Sequence, residues 1–361
     1  MIPGSDVPPG MTAVNWRTHP HAPWAFRNVA AFLPHAVVRA GGAARPLPAG
    51  RPLAVPAGMD EFLAATHADG FFVVDQGRVV FSRYIEGMGE GQRHLAFSVT
   101  KALVGIVAER LIDVGGIAAD ARAGDVADLA GTAFADATLR DLLDMIDGVP
   151  FDETYADASA DIHAYSRHFW GTGEGGVLTA LRRLPPRVAR RGFAYRTPVF
   201  DVIGIMLAAA TGEPIEALMS ALVWQPCGAA DDAHWVLDTG GRAIASAGFA
   251  CTLPDLARVG LWLAERRDAA IARIAAGGDR AAFAAADQPT RPGFSYRSGW
   301  WIDHPTGAWN ALGVFGQRLH VAPDRGLVIA RFGSHPVASN AATDAEHAAM
   351  FDAIAVALSY R

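Results

Sequence analysis

The chain of 361 residues contains almost no lysine, although basic residues are common in it. Of its 31 lysine and arginine residues, 30 are arginine, and the single lysine is Lys101. A guanidinium group does not give up its proton in proteins, whereas an amine can do so when it is removed from water. Lys101 is therefore a candidate for a role in proton transfer.

An excess of positive charge, a long apolar run and a signal peptide are also missing. The formal net charge of −6 provides no basic field that would attract nucleic acid or an anionic membrane, so neither is an expected partner. No stretch reaches the roughly 20 apolar residues of a membrane span, and the N-terminus MIPGSDVPPGMTAVNW lacks a basic start followed by an apolar run. We therefore expect a cytoplasmic location.

Cysteines and paired histidine motifs are scarce as well. The two cysteines, Cys227 and Cys251, have neither the spacing of a metal site nor that of a disulfide framework, and we expect buried thiols. The twelve histidines include no H-E-x-x-H motif. The sequence therefore predicts no bound metal.

Changes in pattern along the chain predict an arm, a sheet domain and a helical domain. Residues 1–56 are rich in Pro, Ala and Arg with weak periodicity, and we expect them to form an extended arm on the surface. Residues 57–118 and 241–361 contain the β-hairpin pattern FFVVDQGRVVFSRY and several later strand patterns, which predict one α/β sheet domain. Residues 119–240 contain helical segments with almost no alternation, and they predict a helical domain.

The segment FSVTKALVGIVAERLIDVGGI brings a serine and the single lysine together. Its apolar residues follow helical spacing and end at a Gly-Gly pair, so it predicts a buried helix. Ser98 and Lys101 are three residues apart near the start of this helix and therefore project from the same face. The free N–H groups and the positive dipole end of that first turn favour an alkoxide or a developing oxyanion. This arrangement is typical of a nucleophile and its base.

An alternative is open, because S-x-x-K alone is a weak pattern. In that interpretation Ser98 caps the helix and Lys101 is a solvated side chain. A lysine base also needs desolvation or a neighbouring group, since its ordinary pKa leaves it charged at neutral pH. Tyr195, just before an apolar helix, is the candidate for a third group that relays the proton, and a packed core tyrosine is the alternative.

Three segments in this order resemble the penicillin-recognising serine hydrolases, which include the class C β-lactamases, the D,D-peptidases and related esterases. They are SVTK at 98–101, YRT at 195–197 before an apolar helix, and GVFGQRLHVAPDRGLVIARF near the end. The smaller features LRDLLDMIDGVPFDETYAD, GFACTLPDLARVG and YRSGWW are most similar to the branch of 6-aminohexanoate-dimer (nylon-oligomer) hydrolases. The resemblance extends over roughly residues 65 to 335.

The resemblance implies a fold and a catalytic set. The fold is α/β (α+β), β-lactamase/D,D-peptidase-like, with an antiparallel sheet flanked by helices, an all-helical lobe, and a cleft between them without metal or cofactor. Ser98 corresponds to the nucleophile, Lys101 to the base and Tyr195 to the tyrosine of the family's Tyr-x-Asn motif. Thr197 stands where asparagine is usual in β-lactamases.

The resemblance also implies substrate-binding residues. The third family motif, Lys/His-Thr-Gly, corresponds to residues 311–313, where Ala311 replaces the cation and only Gly313 is retained. Gly313 would let the backbone approach the substrate, and the N–H of Val314 could join that of Ser98 as the oxyanion hole. Tyr155 corresponds to a loop tyrosine that closes over substrate in the nylon-oligomer branch, with a surface-loop residue as the alternative.

The sequence therefore predicts a serine hydrolase that cleaves a small ester or amide through an acyl-enzyme on Ser98. Two alternatives stay open. One is a catalytically idle binding or sensor protein on the same fold, because Thr197 and Ala311 depart from the family pattern. The other is a β-lactamase or D,D-peptidase, against which the missing cation and signal peptide argue. The expected partner is a small-molecule ester or amide, and the sequence does not fix the oligomeric state, for which a homodimer is one alternative.

Overall fold

Two antiparallel sheets and the helices packed around them make up the protein. The computed structural model describes residues 7–85, 87–170, 175–188, 192–286 and 291–359. In chain order the strands are β1 (His35–Val38), β2 (Ala68–Asp75), β3 (Arg78–Tyr84), β4 (Arg93–Leu95), β5 (Ala233–Val236), β6 (Phe249–Thr252), β7 (Phe294–Arg297), β8 (Trp300–Asp303), β9 (Ala308–Gly313), β10 (Gln317–Ala322) and β11 (Leu327–Gly333). Seven of them form one sheet in the order β3-β2-β11-β10-β9-β8-β7, and the other four form a second in the order β1-β5-β6-β4.

Twelve α-helices are seen in the described residues. They are α1 (Ala22–Arg27), α2 (Met59–Ala65), α3 (Val99–Asp113), α4 (Leu139–Leu143), α5 (Asp161–Phe169), α6 (Gly176–Leu181), α7 (Pro198–Thr211), α8 (Ile215–Met219), α9 (Leu253–Glu265), α10 (Ala269–Ala276), α11 (Arg280–Ala284) and α12 (Asp344–Ser359). Short 3₁₀ turns occupy Val29–Ala31, Ala123–Asp125, Val314–Gly316, Pro323–Arg325 and Asn340–Ala342, and a π-turn occupies Ser220–Trp224. None of these helices alone is long and apolar enough to cross a membrane, although α7 and 215–224, bent by 85°, meet the length and composition test as a pair.

The seven-stranded sheet is covered on both faces, and its sequence shows why. In β2 the side chains alternate between two separate apolar clusters, with Phe72 and Val74 in one and Phe71 and Val73 in the other. The first cluster includes α3 and α9, and the second includes α2 and α12. A strand that is buried on both faces has a continuous apolar sequence, and the segment FFVV in β2 is such a sequence.

The β2–β3 hairpin forms where the sequence predicts it. Asp75 pairs with Arg78, and the two residues between them, Gln76 and Gly77, have φ angles of 49° and 75°. Positive φ at both central positions is the geometry of the tight turn that matches the twist of a hairpin. The predicted hairpin is confirmed.

The first part of the described N-terminal segment is not the surface arm that its sequence predicts. Trp16 and Phe26 are fully buried, and β1 is the edge strand of the four-stranded sheet, paired with β5. The expectation of a surface arm is wrong for residues 11–38, because they contribute isolated aromatic side chains to the core and isolated residues leave no periodic pattern. Residues 39–56 are mostly exposed, as expected. Strand β5 itself lies inside the range 119–240 that was expected to be helical, and the division into domains stays a prediction.

Helix α3 is held by close backbone contact with the turn that joins β7 and β8. A Cβ on Gly105 would lie 1.8 Å from the carbonyl oxygen of Ser298, and a Cβ on Gly299 would lie 2.4 Å from the backbone of Lys101. The Ser298 hydroxyl also donates to the buried Glu109 carboxylate at 2.6 Å. These contacts fix the position of the helix that carries Ser98 and Lys101.

We expect Gly105→Ala to destabilise the protein by at least about 2 kcal/mol, because the new methyl group would overlap a carbonyl oxygen that cannot rotate away. Gly131→Ala is the matched control, since its Cβ would meet no atom within 4 Å and should change stability by less than about 0.5 kcal/mol. Urea unfolding of the three proteins measures the difference. Equal unfolding midpoints for Gly105→Ala and the native chain would contradict the close contact.

Candidate active site

Ser98 lies at the start of helix α3, but its side chain does not cap that helix. The residue occupies the N-cap position and makes no side-chain capping bond. Its Oγ instead accepts a hydrogen bond of 2.8 Å from Lys101 Nζ. The interpretation of Ser98 as a helix cap beside a solvated lysine is therefore wrong, since Lys101 is only 1% exposed.

The backbone immediately before Ser98 is in an unusual conformation. Phe97 has a φ of 46°, which costs energy in a residue that is not glycine. Its ring packs against Phe26 and Phe315, with centroids 4.8 and 5.1 Å away, and Phe315 also has a positive φ of 63°. Aromatic packing from the N-terminal segment and from the turn after β9 therefore holds the strained backbone that presents Ser98.

Lys101 has an acceptor for each of its three ammonium protons. Besides Ser98 Oγ, these are the carbonyl oxygen of Ser246 at 2.8 Å and Thr197 Oγ1 at 3.4 Å. Burial lowers the pKa of Lys101 to about 8, against the opposing effect of the Glu153 and Asp201 carboxylates. The neutral amine that can accept a proton is therefore accessible close to neutral pH.

Tyr195 lies beside this pair, just before helix α7. Its ring centroid is 5.3 Å from Lys101 Nζ, and the ring stacks on Trp301 with centroids 5.6 Å apart. Burial and the Glu153 carboxylate raise the pKa of Tyr195, while an interaction with the Ser98 side chain acts in the opposite direction. The phenol is thus a neutral donor at physiological pH, and it lines a cavity together with Ser98 instead of being sealed in the core.

Two carboxylates that the sequence analysis missed complete the polar network. Glu153 accepts bonds from the Thr197 amide at 2.8 Å, from the Thr197 hydroxyl and from the Tyr155 hydroxyl at 3.0 Å. Asp201 accepts from the Tyr165 hydroxyl and the Ser246 amide, each at 2.9 Å, and its burial raises its pKa to about 6. The one sequence signal for Asp201 is a carboxylate inside the apolar helix DVIGIMLAAATG.

The residues expected to bind substrate also lie at this site. Tyr155 is half-buried and lines both cavities that contain Ser98. Gly313 is the last residue of β9, and a Cβ there would lie 2.6 Å from the carbonyl oxygen of Ala96, so the strand closely approaches the chain before Ser98. Within the described residues, the N–H groups of Ser98 and Val314 donate to no other backbone group.

Ala311 is fully buried, so the position of the missing motif cation is apolar.

Two cavities meet at Ser98. The first has a volume of about 360 Å³ and the second about 320 Å³, and Ser98, Tyr155 and Val314 line both. Tyr195 lines only the second of the two. No group of three or more potential metal ligands is found within the described ranges.

We expect Glu153→Gln to shift the titration of Lys101 to lower pH. The carboxylate raises the pKa of Lys101, so its removal lowers that pKa and makes the neutral amine available at lower pH. Asp152→Asn is the matched control, because it removes one negative charge from the same loop at an exposed position. The pH titration of the NMR signal of the single lysine side chain measures the shift. An unchanged titration in Glu153→Gln would show that this carboxylate does not act on Lys101.

Comparison with known proteins identifies the family. Residues 58–355 match the family model described as Beta-lactamase. The chain belongs to this family. A 6-aminohexanoate-dimer hydrolase from Paenarthrobacter ureafaciens is 29% identical over 351 residues, which cover 90% of this chain and 88% of that protein.

Solved structures of other proteins share the fold. A Bacillus anthracis protein assigned as a 6-aminohexanoate-dimer hydrolase superposes with a TM-score of 0.84 at 23% identity, covering 100% of this chain and 99% of that one. A penicillin binding protein from Bacillus halodurans superposes with a TM-score of 0.63 at 15% identity, covering 80% and 99%. The resemblance and the fold class expected from the sequence are confirmed, and the protein is a beta-lactamase-fold hydrolase related to 6-aminohexanoate-dimer hydrolase.

Proposed function

We propose that the protein is a serine hydrolase that cleaves small esters or amides through an acyl-enzyme on Ser98. The observation that carries the proposal is the buried Lys101 amine, 2.8 Å from Ser98 Oγ, whose pKa is lowered to about 8. A serine hydroxyl is a weak nucleophile by itself and needs an adjacent base. The single lysine of the chain supplies that base.

The reaction divides into two halves. Ser98 Oγ attacks the substrate carbonyl carbon while Lys101 Nζ takes the hydroxyl proton, which gives a tetrahedral oxyanion. The N–H groups of Ser98 and Val314, which are free of backbone partners in the described structure, are the candidate donors to that oxyanion. When the bond to the leaving group breaks, the proton passes to the leaving group, and water then attacks the acyl-enzyme to release the acid and restore Ser98.

Tyr195 is the proposed relay for that proton. Its phenol stays protonated at neutral pH, its ring centroid lies 5.3 Å from Lys101 Nζ, and it lines the second cavity together with Ser98. A group that both donates and accepts can transfer the proton from Lys101 to a departing amine or alcohol.

Small esters and amides fit the site better than a β-lactam or a cell-wall peptide. Ala311 provides no cation for a substrate carboxylate at the usual motif position. The idle-protein alternative rested partly on Thr197, yet the Thr197 hydroxyl still reaches Lys101 at 3.4 Å, so the substitution keeps a polar partner for the base. A cytoplasmic location stays a prediction from the sequence, and a homodimer stays one alternative for the oligomeric state.

Hydrolysis of p-nitrophenyl esters and of the matching anilides tests the proposal. We expect turnover of the short-chain ester, complete loss of activity with one equivalent of a fluorophosphonate, and a lower but measurable rate with the anilide. The protein is checked for folding by circular dichroism in the same buffer. A folded protein that neither hydrolyses the ester nor reacts with the fluorophosphonate would favour the binding or sensor alternative.

A further inference from the structure

The N-terminal segment contributes one wall of the first cavity at Ser98. Val14, Arg17 and Thr18 line this cavity together with Ser98. The wall is anchored by Trp16, which is fully buried and packs edge-on against Trp170 with centroids 5.1 Å apart. A segment outside the catalytic motifs therefore shapes the space next to the nucleophile.

Arg17 places an unpaired positive charge in this wall. Its guanidinium lies 5.5 Å from the Trp16 ring and 5.9 Å from the Trp170 ring. It makes no hydrogen bond or ion pair within the described part of the chain, and its Nε is buried without a partner. Burial lowers the pKa of Arg17 to about 10, so the group is still charged at neutral pH. Arg17 is half-buried, and a charge that is partly removed from water without a hydrogen-bonding partner would be stabilised by an anionic ligand.

The rest of the first cavity favours an acyl chain with a single negative charge. Apolar side chains dominate its surface, among them Phe97, Ile162, Phe169 and Phe315. No aspartate or glutamate is found among the described residues that line it. The second cavity differs, because Glu153 and Asp344 line it together with Arg291, which is already paired with Asp344.

The position of Tyr195 decides which half of the substrate occupies which cavity. Tyr195 lines the second cavity and not the first. If it gives a proton to the leaving group, the leaving group departs on the side of the second cavity. The acyl group is then in the first cavity, with Arg17.

We propose that Arg17 binds a carboxylate carried by the acyl half of the substrate, so that the preferred substrates are monoesters or monoamides of dicarboxylic acids. This proposal rests on the function proposed above. A guanidinium recognises a carboxylate through two parallel hydrogen bonds, and the two tryptophan rings beside Arg17 partly shield such bonds from water. The cation missing from the third motif is thus replaced by one from a different part of the chain and on the acyl side.

Three p-nitrophenyl esters with acyl chains of equal length test the proposal: hexanoyl, which is neutral, 5-carboxypentanoyl, which is anionic, and 6-aminohexanoyl, which is cationic. The native protein should hydrolyse the anionic ester with a kcat/KM about 10 to 100 times that for the neutral ester, after subtraction of the uncatalysed rate. The cationic ester should be the poorest substrate.

Variants at position 17 separate charge recognition from packing. Arg17→Gln should lower kcat/KM for the anionic ester about 10 to 100-fold, mainly through KM, and change the neutral ester less than about twofold. Arg17→Lys should restore part of the preference. Arg83→Gln is the control, because it removes the same charge from the partly exposed surface of β3.

Each other outcome has a definite meaning. Equal losses for the neutral and anionic esters in a folded Arg17→Gln protein would overturn the proposal and make Arg17 a packing residue. A native protein that does not distinguish the three acyl charges would overturn it as well. Failure to hydrolyse any of the esters would instead reject the proposed hydrolase function.

Discussion

Replacing Ser98 with alanine is expected to reduce ester hydrolysis by at least about 10⁴-fold while the fold is retained. Ser98 is the hydroxyl that both contacts Lys101 at 2.8 Å and lines the two cavities where substrate carbonyls can lie. Thr197 also reaches Lys101, but its hydroxyl donates to Glu153 and the residue is only 2% exposed. It is therefore poorly placed to replace the nucleophile.

The matched control for this variant is Ser82→Ala, which removes a hydroxyl from an exposed position on β3. It should keep full activity. Steady-state rates with a p-nitrophenyl ester and thermal unfolding curves of both variants provide the comparison. Retention of more than about 1% of native activity in Ser98→Ala would mean that another group attacks the substrate.

Lys101→Arg is expected to reduce acylation by about 10² to 10⁴-fold although it keeps the positive charge. A guanidinium cannot accept the proton of Ser98, whereas the Lys101 amine, with a pKa of about 8, is partly neutral at pH 7. In the native protein the neutral fraction grows as the pH rises and levels off above this pKa. Acylation should therefore rise with pH through about 8, and this dependence should be absent in the variant.

Arginine is larger than lysine, so Lys101→Met is needed beside it. Methionine matches the length of the buried side chain and removes the charge, and it should also abolish acylation. Pre-steady-state release of p-nitrophenol between pH 6 and 10 measures the acylation rate of each protein. If either folded variant acylated at the native rate, Lys101 would be a structural residue and the base would have to be sought elsewhere.

Local patterns in the sequence predict the elements on which the catalytic pair lies. The spacing of apolar residues after Lys101 predicts helix α3, and the Gly-Gly pair correctly marks its end after Asp113. The i, i+3 separation of Ser98 and Lys101 is realised as a hydrogen bond. These features are local, because a few residues of one helix determine them.

The rest of the site depends on contacts between distant parts of the chain. Glu153 and Asp201 come close to Lys101 only after the helical segments fold around α3, and no spacing rule links residues 52 or 100 positions apart. Arg17 is a further case, since its segment was expected to lie on the surface and instead packs against Trp170. A single buried aromatic residue such as Trp16 cannot be told from an exposed loop residue by sequence pattern alone. Its burial depends on contacts with distant residues, such as Trp170.

The position of the covalent adduct tests the central claim most directly. The native protein is incubated with an active-site fluorophosphonate at pH 8, digested, and analysed by peptide mass spectrometry, with Lys101→Arg and Ser98→Ala treated in parallel. We expect one adduct per chain, on Ser98, in the native protein and none in the two variants over the same time. An adduct on another residue, or full labelling of Lys101→Arg at the native rate, would contradict the Ser98–Lys101 mechanism.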